Sequence, residues 1–221
     1  MKILLFGATG MVGQSVLREC LQTAAVQAVT VVGRTSTNLT HPKLTEHIHA
    51  DLWDFSTLET ALAAFDACFY CLGVSSGGMS EEKYTRLTYD MTLACANTLA
   101  RLNPQMVFIY VSGAGTDSTE TSSTMWARVK GKTENAILAL PFRAAYMFRP
   151  AAIQPMHGIV SKTTSYRVLY AVTKPLLPLL RWLVPNMIVT SDKLARVMLH
   201  VASHGADKRV LESADINAMQ H

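Results

Sequence analysis

The sequence predicts an α/β fold in which helices cover both faces of a doubly wound parallel sheet. Three observations support this prediction. Short apolar runs alternate with segments of helical periodicity through the first two thirds of the 221 residues. A glycine-rich turn connects the first apolar run to the first helical segment. The composition, 49% hydrophobic and only 16% charged, excludes a disordered or low-complexity chain.

Six short runs are predicted as strands because of their residue types and the turn-forming residues around them. In order along the chain they are 2–6, 28–33, 47–50, 68–72, 106–111 and 144–148. Helical periodicity predicts the intervening helices at 11–24, 57–65, 81–102 and 124–138. Strands that alternate with helices in this way pair in parallel through right-handed crossovers, because each crossover helix covers one face of the sheet.

The chain is predicted to form one domain over residues 1–221, because no internal repeat, linker or change in composition divides it. Residues 1–150 contain the alternating strands and helices and are expected to form the ligand-binding core. Residues 151–221 are richer in proline, and they include one clear helix start, at Thr190, before the apolar run 194–202. Ligands of such sheets bind beyond the carboxyl ends of the strands. We therefore expect 151–221 to cover this crevice on the substrate side and to supply the last strand and helices.

Charge and cysteine content restrict the partners and the compartment. The net charge of +4 is dispersed along the chain, so nucleic acid is not the expected partner. The four cysteines are too few and too widely spread for a disulfide framework, and no secretory signal precedes the first strand, which predicts the cytoplasm. The oligomeric state is not predicted.

One apolar segment, 168–189, is long enough to suggest a membrane span. It contains Lys174, Arg181 and three prolines, and charged residues at mid-span cost about 2.5 to 3.5 kcal/mol each. Core helices or an apolar pocket wall are therefore expected, and peripheral membrane contact is the alternative.

A glycine-rich motif lies between the first strand and the first helix. Gly7 permits a tight turn, Gly10 allows a ligand to approach the backbone, and Gly13 allows the helix to pack closely on the strand. The helix amino terminus adds unpaired N–H groups and a positive dipole end, which bind a diphosphate. The motif predicts a dinucleotide site whose contacts are Gly7, Ala8, Thr9, Gly10, Met11, Val12 and Gly13.

The residues after the second strand predict which dinucleotide binds. NAD sites of this type use an acid there to hold the ribose 2′-hydroxyl, whereas NADP sites use a cation for the 2′-phosphate. The chain has no acid between Glu19 and Glu46. Gly33 is instead followed by Arg34, Thr35 and Ser36, which supply a guanidinium group and two hydroxyls. The expected cofactor is therefore NADP(H).

Motifs along residues 1–155 resemble those of the short-chain dehydrogenase/reductase superfamily, in its extended and atypical branches. They are the GxxGxxG spacing, Arg34, Ala50-Asp51-Leu52 and Cys71-Leu72-Gly73. Four further segments are similar to the NAD(P)H-binding, Tat-interacting-protein-like (NmrA-like) group of atypical members. These segments are 6–10, 111–114, 129–131 and 148–150. The resemblance implies a Rossmann fold and an oxidoreductase function.

The resemblance also implies roles for residues at the ends of the later strands. Asp51 would bind the adenine amino group and Leu52 the adenine face, while Cys71, Leu72 and Gly73 would pass under the ribose. Pro150, Ala151 and Ile153 would flank the nicotinamide. Ser112 would orient the substrate, and Lys130 would hold the nicotinamide ribose.

The catalytic acid of the superfamily is missing. A tyrosine stands four residues before the lysine in the superfamily, but Trp126 occupies that position here, and an indole N–H is not a general acid near neutral pH. Three alternatives remain open. The protein binds NADPH as a regulator or scaffold, it uses another acid, or it catalyses a hydride transfer that needs no side-chain acid. The candidate acids are Tyr84, Tyr89, Tyr166 and Tyr170.

The carboxy-terminal third predicts an apolar small molecule as the ligand, because it offers few polar groups. Two motifs are expected to be structural. Cys68 and Cys71 lie three residues apart on a predicted strand, so they face opposite sides and are expected to be buried hydrophobic residues. His47, His49 and Asp51 share a strand face but have no further metal-binding residue nearby, so no metal is expected.

Overall fold

The computed structural model describes residues 1–159 and 187–219. Most of the apolar segment 168–189 therefore lies outside the described residues, and so do Tyr166 and Tyr170. Within the described ranges, no helix has both the length and the apolar character needed to cross a membrane.

Nine strands are present in the described residues. They are β1 Lys2–Phe6, β2 Ala28–Gly33, β3 Leu44–Ile48, β4 Ala67–Tyr70, β5 Val107–Val111, β6 Ala144–Arg149, β7 Ala152–Gln154, β8 Ile188–Thr190 and β9 Val210–Glu212. Seven of them form one sheet in the order β3-β2-β1-β4-β5-β6-β9. Every neighbouring pair is parallel. The order reverses between β1 and β4, which is the switch point of a doubly wound sheet and confirms the predicted fold class.

Helices cover both faces of this sheet. They are α1 Met11–Gln22, α2 Glu81–Thr85, α3 Met91–Leu102, α4 Met125–Leu138, α5 Ser191–His204 and α6 Ser213–Ala218, with a 3-10 helix at Ser56–Leu62. A π-helical turn at Arg86–Asp90 joins α2 to α3, so the predicted helix over 81–102 is confirmed with one irregular turn. The remaining two strands, β7 and β8, pair in a small parallel sheet of their own.

The structure differs from the prediction mainly at one edge of the sheet. β3 begins at Leu44 rather than at residue 47, because this edge strand is half-exposed and has no apolar run to mark it. The helix predicted at 57–65 is the 3-10 helix Ser56–Leu62. Thr190 accepts a hydrogen bond from the backbone amide of Lys193, so the predicted start of α5 is confirmed.

The core has two layers, one on each side of the sheet. Residues of α1 and α5 pack on one face, together with alternate residues of the strands such as Ile3 and Leu5. Residues of α3 pack on the other face, with Leu4 and Phe6. The carboxy-terminal helix α5 is therefore part of the core, where it packs against α1.

The cysteines behave as buried hydrophobic residues. Cys68 lies in one core layer and Cys71 packs against the other, which confirms that the two thiols face opposite sides of β4. All four cysteines are free thiols. Burial raises the pKa of Cys71 to about 12, so this thiol stays protonated and unreactive at neutral pH.

Candidate functional site

The glycine-rich turn forms a close backbone contact at the centre of the sheet. Gly7 has a left-handed φ of 81°, and a Cβ atom there would lie 2.7 Å from the carbonyl of Cys71 at the end of β4. A Cβ atom on Gly13 would lie 2.0 Å from the Gly7 carbonyl oxygen. Only glycine fits at these two positions. The contact places the first turn of α1 at the switch point, where its leading amides have no intrahelical acceptor.

This helix terminus suits an anion. Within the described residues, α1 has no side-chain cap and no acidic residue in its first turn. A bound phosphate could therefore accept from the amides of Met11, Val12 and Gly13 without competition from a carboxylate. The residues present fit a dinucleotide diphosphate at this position.

The three residues predicted to bind a 2′-phosphate differ in their availability. Arg34 and Thr35 are exposed, and within the described ranges neither side chain forms a hydrogen bond or an ion pair. The Ser36 hydroxyl, however, donates to Oε2 of Glu46 at 2.7 Å. Glu46 belongs to β3, and the pairing of β3 with β2 brings it beside this loop. Sequence reasoning missed this acid because it considered only residues on strand two.

The residues assigned to adenine lie just after β3. Oδ1 of the exposed Asp51 accepts from the backbone amide of Trp53 at 2.9 Å, which leaves its other oxygen for a ligand amino group. Leu52 is only 2% exposed and packs in the core. Its side chain therefore offers almost no surface to an adenine face. Trp53 is 40% exposed at the same place, and the guanidinium of Arg86 lies 5.7 Å from its ring centroid.

The residues assigned to the ribose and the nicotinamide lie at the same edge of the sheet. Cys71 pairs with the end of β1 through its amide, and Leu72 and Gly73 continue past β4. The Pro150 carbonyl accepts from the Ala114 amide at 3.1 Å. Ala151 is exposed and Ile153 is half-buried. The carboxyl ends of β1, β4, β5 and β6 thus bring the predicted positions together.

Ser112 and Lys130 lie in contact. Ser112 directly follows β5, and Nζ of Lys130 on α4 donates to the Ser112 carbonyl oxygen at 2.8 Å. The indole of Trp126, one turn earlier on α4, packs against Gly115, where an added Cβ would lie 3.1 Å from the ring. Trp126 and Lys130 therefore lie on the face of α4 that meets the loop after β5.

A buried carboxylate that the sequence did not indicate lies behind Ser112. Glu134, one turn after Lys130, is fully buried and accepts a short hydrogen bond from the Ser112 hydroxyl. Nε of Arg149 at the end of β6 donates to both Glu134 oxygens at 3.1 Å. Arg149 also donates to Glu212 at 3.2 Å and to Ser118 at 2.6 Å. The Ser112 hydroxyl therefore donates its one hydrogen bond to Glu134 and can offer a ligand only an acceptor.

The same surroundings determine the charge state of Lys130. Burial lowers the pKa of Lys130 to about 8, although the nearby Glu134 carboxylate acts in the opposite direction. The amine thus exchanges a proton close to neutral pH, where an unperturbed lysine stays charged.

The candidate acids and metal ligands are placed as follows. Tyr84 is 1% exposed and buried, whereas Tyr89 packs beneath the Nζ atom of Lys132, 4.6 Å from the ring centroid. Nε2 of His49 lies 2.7 Å from the Asp54 carbonyl oxygen. In the described part of the chain, no group of three or more His, Cys, Asp or Glu residues could hold a metal ion.

A groove of about 710 Å³ runs between α1 and the loop after β2. Its lining includes Thr9 of the glycine-rich turn, Arg18 of α1, and Ser36 and Thr37 of the loop. The groove therefore gives a ligand access to the side of the glycine-rich turn that faces Ser36.

Comparison with known proteins identifies the family. Residues 7–140 match the sequence profile of a family described as NAD(P)H-binding. The chain belongs to this NAD(P)H-binding family. The matched region contains the glycine-rich turn, Arg34, Ser112, Trp126 and Lys130. A nicotinamide dinucleotide is therefore the cofactor of the family, and the resemblance to atypical short-chain dehydrogenases/reductases is confirmed.

Two proteins with modest sequence identity to this chain have established names. The chain is 27% identical to Protein HTATIP2 of Rattus norvegicus over 154 residues, which cover 68% of this chain and 62% of that protein. It is 28% identical to the mitochondrial protein fmp52 of Aspergillus clavatus over 159 residues, 68% of this chain and 66% of that protein. The matches thus span slightly less than two thirds of each relative.

A solved structure shares the fold of this NAD(P)H-binding chain. It is an oxidoreductase of the short-chain dehydrogenase/reductase family from Burkholderia thailandensis, with a TM-score of 0.69 and 16% sequence identity. The alignment covers 97% of this chain and 91% of that one.

We predict that Glu134→Gln destabilises the protein strongly. The substitution leaves the Arg149 charge, 9% exposed, without its main partner, and breaking a buried ion pair from one side costs about 3 to 5 kcal/mol. The control is Glu59→Gln, which removes an exposed pair with Arg101 and should cost less than about 1 kcal/mol. Urea unfolding measures the free energy of unfolding of both variants. Equal losses of stability would contradict the role assigned to the buried pair.

We predict that NADPH affinity falls as the pH rises through about 8. A protonated Lys130 would attract the oxygens of a bound cofactor, and the pKa of about 8 means that this charge is lost above that pH. Calorimetric titrations between pH 7 and 9.5 measure the effect. Lys130→Met should bind more weakly and show a flat profile, and a slope that survives in this variant would assign the titration to another group.

Proposed function

We propose that this chain is an NADP(H)-dependent oxidoreductase that acts on an apolar small molecule. The observation that carries the proposal is the exposed Arg34, which has no partner within residues 1–159 and 187–219 and follows the strand beside the glycine-rich turn. A free guanidinium at this position favours a 2′-phosphate over a hydroxyl, because only the phosphate carries an opposite charge and can accept two parallel hydrogen bonds from it. The apolar ligand is inferred from the composition of the carboxy-terminal third.

The cofactor would supply a hydride, and the residues of this chain would bind and orient it. The amides of the glycine-rich turn would hold the diphosphate, Asp51 the adenine amino group, and Lys130 the nicotinamide ribose. Lys130 also has a pKa of about 8, a suitable value for giving a proton to a substrate oxygen. This supports Lys130 over Tyr84, which is buried, as the group that replaces the missing tyrosine.

The side chains at positions 112 and 126 support a second candidate function. Trp126 replaces the superfamily's acid, and the Ser112 hydroxyl donates to Glu134 rather than to a substrate. A site with these two changes would bind NADPH without turnover, as expected of a redox-linked regulator or scaffold. An oxidoreductase would oxidise NADPH with some substrate, whereas a regulator or scaffold would bind NADPH without turning over any compound.

The compartment and the remaining partners stay predictions. The cytoplasm is predicted from the sequence, whereas the name of the Aspergillus clavatus relative assigns that protein to mitochondria. Nucleic acid is not an expected partner, and peripheral membrane contact is a further alternative that liposome co-sedimentation would test.

We predict that the chain binds NADPH about ten to a hundred times more tightly than NADH. A charge-assisted hydrogen bond contributes about 1.5 to 3 kcal/mol, which gives this ratio. Calorimetric titration with both cofactors measures it, and Arg34→Ala should abolish most of the preference. Equal affinities for the two cofactors in the unmodified protein would refute the choice of NADP(H).

We predict that turnover of simple aldehydes and ketones with NADPH is slow or absent. The superfamily's tyrosine is absent, and loss of a general acid costs about 10² to 10⁴ in rate. Lys130 would offset only part of this loss, and Trp126→Tyr should restore a further part. The rate is measured from NADPH absorbance, with Lys130→Met as the control that should remain inactive. Brisk reduction of simple carbonyls by both the unmodified protein and Lys130→Met would show that the site has been assigned wrongly.

A further inference from the structure

The Glu46 carboxylate contacts Ser36 and Thr37, in the loop where the 2′-phosphate of NADP(H) is proposed to bind. Glu46 is paired in register with Val31, two residues before the end of β2. β2 leads directly into Arg34, Thr35 and Ser36. The neighbouring strand thus brings an acid to the carboxyl end of β2, although β2 itself ends without one.

Glu46 already binds the donors that a phosphate would need. Its Oε2 accepts from the Ser36 hydroxyl at 2.7 Å, and its Oε1 accepts from the Thr37 amide at 2.8 Å. A hydroxyl has one proton to donate, so Ser36 has none left for a ligand. The Ser36 oxygen also accepts from the Asn38 amide at 2.9 Å, which closes the turn.

The carboxylate is held in its charged form. Burial would raise the pKa of Glu46, but the hydrogen bonds from the Thr37 amide and the Ser36 hydroxyl lower it below its usual value. At neutral pH the Glu46 carboxylate therefore places a negative charge against Ser36 and Thr37, in the loop that begins at Arg34. A 2′-phosphate would be attracted by the Arg34 guanidinium and repelled by the Glu46 carboxylate.

We propose that Glu46 sets the dinucleotide preference of this chain. Its carboxylate accepts from donors of the loop after β2 and repels a 2′-phosphate, so the preference for NADP(H) expected of the unmodified protein would be larger still in a chain without this charge. NAD(H) has a hydroxyl at the same position, which can donate to a carboxylate and is not repelled. The proposal rests on the proposed function, because it requires that a dinucleotide binds beside Arg34.

Glu46→Gln tests this proposal, because glutamine keeps the size and an acceptor oxygen but removes the charge. Isothermal titration with NADPH and with NADH gives the affinity ratio. We expect NADPH to bind about tenfold more tightly to the variant and NADH to change by less than about twofold. Asp207→Asn is the matched control. It removes one negative charge from an exposed loop next to β9, at the opposite edge of the sheet, and should change neither affinity.

Ser36→Ala gives an independent measurement. If Glu46 already holds the hydroxyl, the loss of this group should change NADPH affinity by less than about twofold. A tenfold loss would show that Ser36 binds the phosphate directly and would overturn the proposal.

The outcomes separate this proposal from the function on which it rests. Unmodified protein that binds neither cofactor would refute both. Unmodified protein that prefers NADPH, with an unchanged ratio in Glu46→Gln, would overturn only the role of Glu46. A rise in the ratio of NADPH affinity to NADH affinity for Glu46→Gln, without such a rise for Asp207→Asn, supports the proposal.

Discussion

The buried ion pair between Glu134 and Arg149 is the interaction on which the geometry of the carboxyl edge depends. It ties α4 to the end of β6, and the further contacts of Glu134 and Arg149 reach Ser112 after β5 and Glu212 at the end of β9. Because a buried charge without a partner is unfavourable by several kcal/mol, the pair favours the arrangement in which these elements meet. Lys130 precedes Glu134 by one helical turn, so the same pair fixes where its amine lies.

The hydrogen-bond donors and acceptors of this site therefore differ from those of the superfamily that the chain resembles. The Ser112 hydroxyl donates its hydrogen bond to Glu134, so its oxygen can only accept from a ligand. Trp126 stands where the superfamily has the tyrosine that acts as the acid. Of the described groups at this edge, Lys130 combines contact with Ser112 and a pKa of about 8. The group that exchanges a proton with the substrate would therefore be the Lys130 amine rather than a tyrosine phenol.

The sequence predicted those features that depend on local pattern. The glycines at 7 and 13 were assigned correctly because a turn between a strand and a helix leaves few other residues possible, and the contacts of 2.7 Å and 2.0 Å bear this out. The start of β3 was missed because a half-exposed edge strand lacks an apolar run. Glu46 and Glu134 were missed for a different reason. Their partners come from other elements of the fold, so no motif of fixed spacing contains them.

One signal could have revealed Glu134. It lies on α4 between the buried residues Thr133 and Ile137, and Arg149 ends an otherwise apolar strand. A lone acid on a buried helix face and a lone base on a buried strand are each unfavourable, so together they indicate a pair. No comparable pattern marks Glu46, since edge strands commonly carry exposed acids.

The position of β9 has a consequence for how the protein matures. Glu212 contacts Arg149 from 63 residues further along the chain, so β9 leaves the ribosome after β1 to β6. Chains fold from the amino terminus during synthesis, so β1 to β6 can assemble while Arg149 still lacks this partner. The diphosphate-binding turn would therefore exist before the charge network behind Ser112 is complete. A nascent chain could form the Glu134–Arg149 pair next to Lys130 first and add the contact between Glu212 and Arg149 later.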